Sequence, residues 1–185
     1  MPPRQEVESS LVERARAGDR DAYTALIRRY DRGLRALAFR LLGDRDRMDD
    51  ALQEAYVRAF RSLPRFRGAA GIGTWLYRIA YNACLDELER GRRSAALELA
   101  LDGRGDGRGD PAETAVRPGD LEAALAALAP GERAAVLLVD AHGFHYASAA
   151  EVLGVPAGTV ASRLNRARTA LRRALEHPRE GAPER

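Results

Sequence analysis

The residues able to do chemistry fall in separate stretches of this chain. Asp49, Asp50, Gln53 and Glu54 crowd within two turns of a helical segment, and carboxylates so close together invite general acid–base catalysis. No His, nucleophile or phosphate-binding loop accompanies them. The patch therefore reads as an acidic surface for a partner, and no catalytic residue is expected. A second stretch, "RFRG" followed by "TWLYRIAYN", mixes Arg67 and Arg78 with Phe66, Trp75, Tyr77 and Tyr81 around a Gly-rich loop. That mixture suits single-stranded nucleic acid, because bases stack on rings while guanidinium groups meet phosphates. Trp75 reads as core, whereas Tyr77, Arg78, Tyr81 and Asn82 lie on other helix faces and are expected to be freer to touch a ligand. A third group, Arg163, Arg166, Arg168, Arg172 and Arg173, meets no acid before Glu176, as a helix lying against phosphates requires. Just upstream, Ala150, Gly154 and Val160 have the spacing of a helix-turn-helix: a small residue at the crossing, a tight turn, and an aliphatic that packs the second helix back.

Helices must position these groups. Aromatics are only 6% of the chain, and Ala, Leu and Arg dominate, so the expected fold class is all-α. Ser10 and Glu13 read as a capping box opening a short first helix that stops at Gly18. Asp19 caps a second, whose apolar stripe runs through Tyr23, Leu26, Ile27, Tyr30, Leu34, Leu37, Ala38 and Leu41 to Gly43. The third begins near Asp44, buries Met48, Leu52, Ala55, Tyr56, Ala59, Phe60 and Leu63, and stops at Pro64. Thr74 is expected to cap a fourth running to about Arg92, with Leu76, Ile79, Ala80, Ala83 and Leu88 inward. These make a four-helix bundle over residues 9–92. Periodicity vanishes over 93–119, where Asp102, Asp106, Asp110 and Glu113 outweigh Arg104 and Arg108 and the triplet Arg-Gly-Asp occurs twice; this is expected to be a flexible linker. The second domain, 120–176, begins with a helix through Leu121, Leu125 and Leu128 that breaks at Pro130. A helix ending at Gly143, a short one from Tyr146 to Leu153, and a long final one striped by Val160, Leu164, Ala167 and Leu171 follow.

Composition narrows the function. All 30 basic residues are Arg, which fits a GC-rich genome, so the formal charge of +3 says little by itself. The lone Cys84 has no disulfide partner, and His142, His145 and His177 have no metal-ligand spacing with it, so neither metal nor cofactor is expected. No apolar run approaches the ~20 residues that span a bilayer, and Met1–Glu8 lacks a signal pattern, so membrane insertion is not expected and a cytoplasmic location is.

In its motifs the chain resembles the sigma-70 family and its extracytoplasmic-function (ECF) group. "AGDRDAYTALIRRY", "DDALQEAYVRAFRSLPRFRG" and "GTWLYRIAYNACLDEL" are similar to region two; "LEAALAALAPGERAAVLLVDAHGF" and "EVLGVPAGTVASRLNRARTAL" are similar to region four. The likeness covers about residues 9–176. It implies a sigma factor that directs RNA polymerase core to promoters and assists DNA opening, and not an enzyme. Asp49, Asp50, Gln53, Glu54 and Arg58 would then dock on the clamp helices of the largest subunit. Phe66, Arg67, Trp75, Tyr77, Arg78, Tyr81 and Asn82 would recognise and help melt the minus-ten element, capturing a flipped base. Thr159, Ser162, Arg163, Asn165 and Arg166 would read the minus-thirty-five element in a major groove. Core polymerase, promoter DNA and an anti-sigma factor are the partners implied. The chain departs from the family at Ala161, where Lys or Arg is common, at Ala147 and Ser148, where acids are, and at His145, in place of a Ser or Thr cap. The competing expectation is a helix-turn-helix regulator with an N-terminal sensor or dimerisation bundle, which would have no need for an Arg/aromatic strip beside an acidic face.

Overall fold

A computed structural model describes residues 4–101 and 121–176. The tract between, with both Arg-Gly-Asp triplets and most of the expected linker, lies outside the described residues, as does His177. Everything regular among the described residues is helical. Helix α1 (Arg4–Arg16) starts before Ser10, which lies inside it and not at its cap. The polar residues from Arg4 to Ser9 are mostly good helix formers, so the helix runs through them. Gly18, at φ +95°, turns the chain.

Helix α2 (Arg20–Leu42) begins at Asp19, whose carboxylate accepts from the Ala22 amide at 2.9 Å and pairs with Arg14 at 2.6 Å. Backbone and Arg14 hydrogen bonds hold that carboxyl below its usual range. It ends at Gly43, φ +71°, whose amide donates to the Phe39 carbonyl at 2.8 Å. Asp44 caps α3 (Arg45–Ser62) in the same way, accepting from Arg47 at 2.9 Å, and Pro64 ends it in a 3₁₀ turn. Helix α4 (Ile72–Leu101) starts before Thr74 and continues past Arg92, well into the expected linker. Its last turns, "SAALELAL", are strong helix formers that need no core to be helical.

Helix α5 (Leu121–Ala126) stops short of Pro130, which opens α6 (Pro130–Val136), where its missing N–H costs nothing. A π turn, Leu137–Ala141, carries α6 toward Gly143. Helix α7 (Tyr146–Leu153) has no side-chain cap at His145. Gly154, at φ +65°, makes the turn to α8 (Ala157–Glu176). Ala150 and Val160 are buried where these two cross, as the spacing required.

Leu26, Leu34 and Leu37 of α2, Leu52 of α3 and Leu63 of the 3₁₀ turn are fully buried, and Leu138, Val152, Val160 and Leu164 fill the space inside the second helical group. Each such side chain contributes about 1.5–3 kcal/mol. Phe60, expected in the core, is instead 37% exposed, with its ring edge-on to Tyr23 at 5.0 Å. Tyr23 spends its hydroxyl on the Tyr56 carbonyl (2.6 Å), and Tyr56 donates to Asp31 (2.7 Å), tying α2 to α3. Burial pushes both phenols up, Tyr23 to about 12.

The two helical groups share one apolar cluster. Helix α7 lies along α4, and α5 and α6 cover the end of α2. At that end the Arg133 guanidinium donates to the Leu41 carbonyl at 3.1 Å, the Leu128 carbonyl at 3.1 Å, and the Ala126 carbonyl. It caps the ends of α2 and α5 together, satisfying carbonyls that have no partner within their own helices.

Candidate nucleic-acid interface

On α3 the acidic group divides. Asp49 accepts from Arg35 at 2.7 Å, and Glu54 is held by Arg58 at 2.5 Å and Arg90 at 3.0 Å. Arg58 also donates to Asp86 at 2.7 Å, which with Glu54 favours its charged form. Asp50 and Gln53 are exposed and make no ion pair or side-chain hydrogen bond among the described residues. Val57 and Phe60 lie exposed on the same helix, 43% and 37%. The result is an outward face with an unpaired carboxylate, an amide and apolar area beside it, suited to a protein partner.

The Arg/aromatic strip is split more sharply. Arg67, Arg78 and Asn82 are exposed, and Phe66 and Trp75 are half-buried with their rings 5.1 Å apart. Trp75 therefore belongs partly to the core, as expected. Tyr77 and Tyr81 do not lie free: they are 7% and 4% exposed. Tyr77 is covered by Phe144 at 4.9 Å and His142 at 5.3 Å, and its hydroxyl stands 3.3 Å from His142 Nδ1. Helix periodicity put both tyrosines away from the first bundle's core, and the second helical group then covered that side. His142 Nε2 is buried without a hydrogen-bond partner among the described residues, and burial first, then Arg40, push the imidazole below its ordinary 6.5.

On α8, Ser162, Asn165 and Arg166 are exposed and Thr159 half-buried. Arg166 reaches back to Glu132 at 2.7 Å, and Arg168 forms a two-pronged pair with Asp140 at 2.6 and 3.0 Å. Arg163 turns inward from the others. Its guanidinium lies against Gly131, 3.1 Å from where a Cβ would stand, close enough to Tyr81 to oppose the upward push of burial on that phenol. Both Gly131 and Arg163 belong to the second helical group, so this lodging is internal to it, while the charge also stands near Tyr81 of the first.

Residues that sequence reasoning passed over complete this seam: Arg133, His142, Phe144 and Gly33. A Cβ on Gly33 would stand 2.0 Å from the Tyr77 hydroxyl oxygen, so α2 has room for that ring only because position 33 is glycine. An isolated glycine inside a helical stripe was the available signal.

The chain is similar to known proteins along most of its length. The family description "Sigma-70 region 2" matches residues 26–94, and "Sigma-70, region 4" matches 119–171. The chain is 35% identical to the RNA polymerase sigma-H factor of Pseudomonas aeruginosa, over 93% of this chain and 95% of that protein. It is 38% identical to the ECF RNA polymerase sigma factor SigM of Mycobacterium tuberculosis, over 94% and 87%. Among solved structures it resembles CnrH in complex with the cytosolic domain of CnrY (TM-score 0.69, 28% identity, 92% of this chain and 97% of that one). It also resembles RpoE in complex with the anti-sigma factor NepR from Bartonella quintana (TM-score 0.65, 28% identity, 85% and 98%).

Proposed function

The chain belongs to the sigma-70 family, in its ECF group of RNA polymerase sigma factors, and from that premise we propose how its surfaces divide the work of directing RNA polymerase to promoters. It is a transcription initiation factor. No helix among the described residues is long and apolar enough to cross a membrane. Residues 9–92 serve as region two and 120–176 as region four.

Asp50 and Gln53, with Asp49, Glu54 and Arg58 around them, dock on core polymerase. Phe66, Arg67, Trp75, Arg78 and Asn82 meet the minus-ten strand and assist its opening, joined by Tyr77 and Tyr81 when region four moves away. Ser162, Asn165 and Arg166, with Thr159 and Arg163, read the minus-thirty-five element. The observation that carries this reading is the seam itself: Tyr77 and Tyr81 of one DNA surface are buried where the two groups meet, with Arg163 of the other surface close beside Tyr81. Polymerase binding at the exposed α3 face then separates the two groups and releases both. An anti-sigma factor is the second partner of this reading, acting before polymerase does.

Run-off transcription from fragmented genomic DNA, with purified core and this protein, tests it. Discrete transcripts are expected only when the protein is added. Transcript patterns identical to core alone would defeat the proposal.

A further inference from the structure

A cavity of about 390 Å³ opens between α1 and the loop that joins α3 to α4. Val12, Glu13 and Arg16 form one wall, and Phe66, Arg67 and Ile72 the other. This volume lies in the range of about 300–1,000 Å³ of small-ligand sites. Its chemistry is zoned. Val12, Phe66 and Ile72 give apolar surface, and Trp75 backs the Phe66 ring from 5.1 Å. Arg16 and Arg67 are exposed and form no ion pair among the described residues, so both remain available to a phosphate. Of the two acids that line it, Glu8 already accepts from the Tyr30 hydroxyl at 2.7 Å and lies 3.9 Å from Arg29. Glu13 is exposed and its carboxylate has no hydrogen bond or ion pair among the described residues.

Resting on the reading of this loop as the minus-ten surface, we propose that Glu13 on α1 is a specificity residue, selecting a base with an exocyclic amino group for the cavity and rejecting thymine. An ionised carboxylate only accepts hydrogen bonds. Cytosine offers it the N4 amino group, whereas thymine presents the O4 carbonyl at the same place. Two acceptors face to face leave the carboxylate unsatisfied and repelled, and a site built to receive a donor strongly rejects the analogue that lacks it. Shape contributes little between two pyrimidines, so the discrimination falls on that edge. An unstacked base brings its own phosphates, which Arg16 and Arg67 meet at the rim.

Holoenzyme made from core polymerase and the full chain is used to select strands from a randomised pool of short single-stranded DNA. The selection is repeated with Glu13→Gln, with Glu13→Asp, and with Glu6→Gln, an exposed residue of α1 that does not line the cavity. At one selected position thymine should be depleted. Matched oligonucleotides with cytosine or uracil there should differ about tenfold in affinity. Glu13→Gln, whose amide both donates and accepts, should bring the pair to within about twofold. Glu13→Asp should keep part of the preference, and Glu6→Gln all of it, with unchanged melting curves throughout. A preference against thymine that survives intact in Glu13→Gln overturns the proposal while the minus-ten reading stands. Failure of the unaltered holoenzyme to select any sequence overturns that reading and this proposal with it.

Discussion

Gly33→Ala should open the contact between regions two and four, and Tyr77→Phe should restore it. The new methyl would stand 2.0 Å from the Tyr77 hydroxyl oxygen and 3.3 Å from the ring carbon that bears it, so the hydroxyl has to leave. In a helix interior the substitution by itself favours folding by about 1 kcal/mol. Against that, overpacking costs about 1–3 kcal/mol. Displacing the ring also removes a hydrogen bond to His142 of about 0.5–1.5 kcal/mol and an aromatic pair with Phe144 of similar size. The helix gain stabilises open and closed chains alike, whereas the losses fall on the closed one, so the seam should weaken by about 2–6 kcal/mol. Tyr77→Phe alone should cost about 1 kcal/mol through the lost hydrogen bond. Combined with Gly33→Ala it removes the atom in conflict, so the double variant should be less open than the sum of its parts by about 1–2 kcal/mol. Fluorescence energy transfer between dyes on α1 and the end of α8 reads the open fraction, each 1.4 kcal/mol being a tenfold change in the ratio. Additive effects of the two substitutions would refute the packing argument.

Other outcomes follow from the same geometry. Closure should weaken as pH falls below 6.5: burial and Arg40 hold His142 under that value, so below it the open chain binds more protons than the closed one. Tyr77 and Arg40 act on that imidazole, Arg29 and Arg32 line the same pocket, and His142→Phe should flatten the energy-transfer profile between about pH 8 and pH 5. Asp50→Arg with Gln53→Ala should abolish co-purification with core polymerase while changing stability by only about 0.5 kcal/mol, since both residues are exposed; undiminished assembly would remove α3 from the docking face. Arg78→Ala with Asn82→Ala should weaken holoenzyme binding to a single-stranded minus-ten oligonucleotide by about 1–3 kcal/mol. Arg166→Ala should spare that binding and weaken duplex promoter protection upstream, because α8 needs a major groove; equal losses in both assays would contradict the division.

Much of the molecule was legible locally. Asp19, Gly43, Asp44 and Gly154 cap or turn where their types require, because a cap depends on a side chain and the backbone within a few residues of it. The α2 stripe and the Ala150, Gly154, Val160 spacing carry over because burial repeats with the helix period. Boundaries without such signals were missed. Ser10 could cap only if the chain left the helix before it, and α4 outran its core because propensity alone sustains its last turns.

What the sequence determined, then, was the helices, their inward faces and which residue types could meet a partner, all properties of neighbours along the chain. Tertiary structure decided which of those residues are available. Tyr77 and Tyr81 sit on the outer side of α4 by periodicity, yet they are buried by residues more than sixty positions away. Arg163, Arg166 and Arg168 read as one basic face, but Gly131, Glu132 and Asp140 draw them apart. Glu13 looked like half of a cap and became a wall of the cavity. Periodicity assigns a face to a side chain, and only the packing of distant helices decides what that face meets.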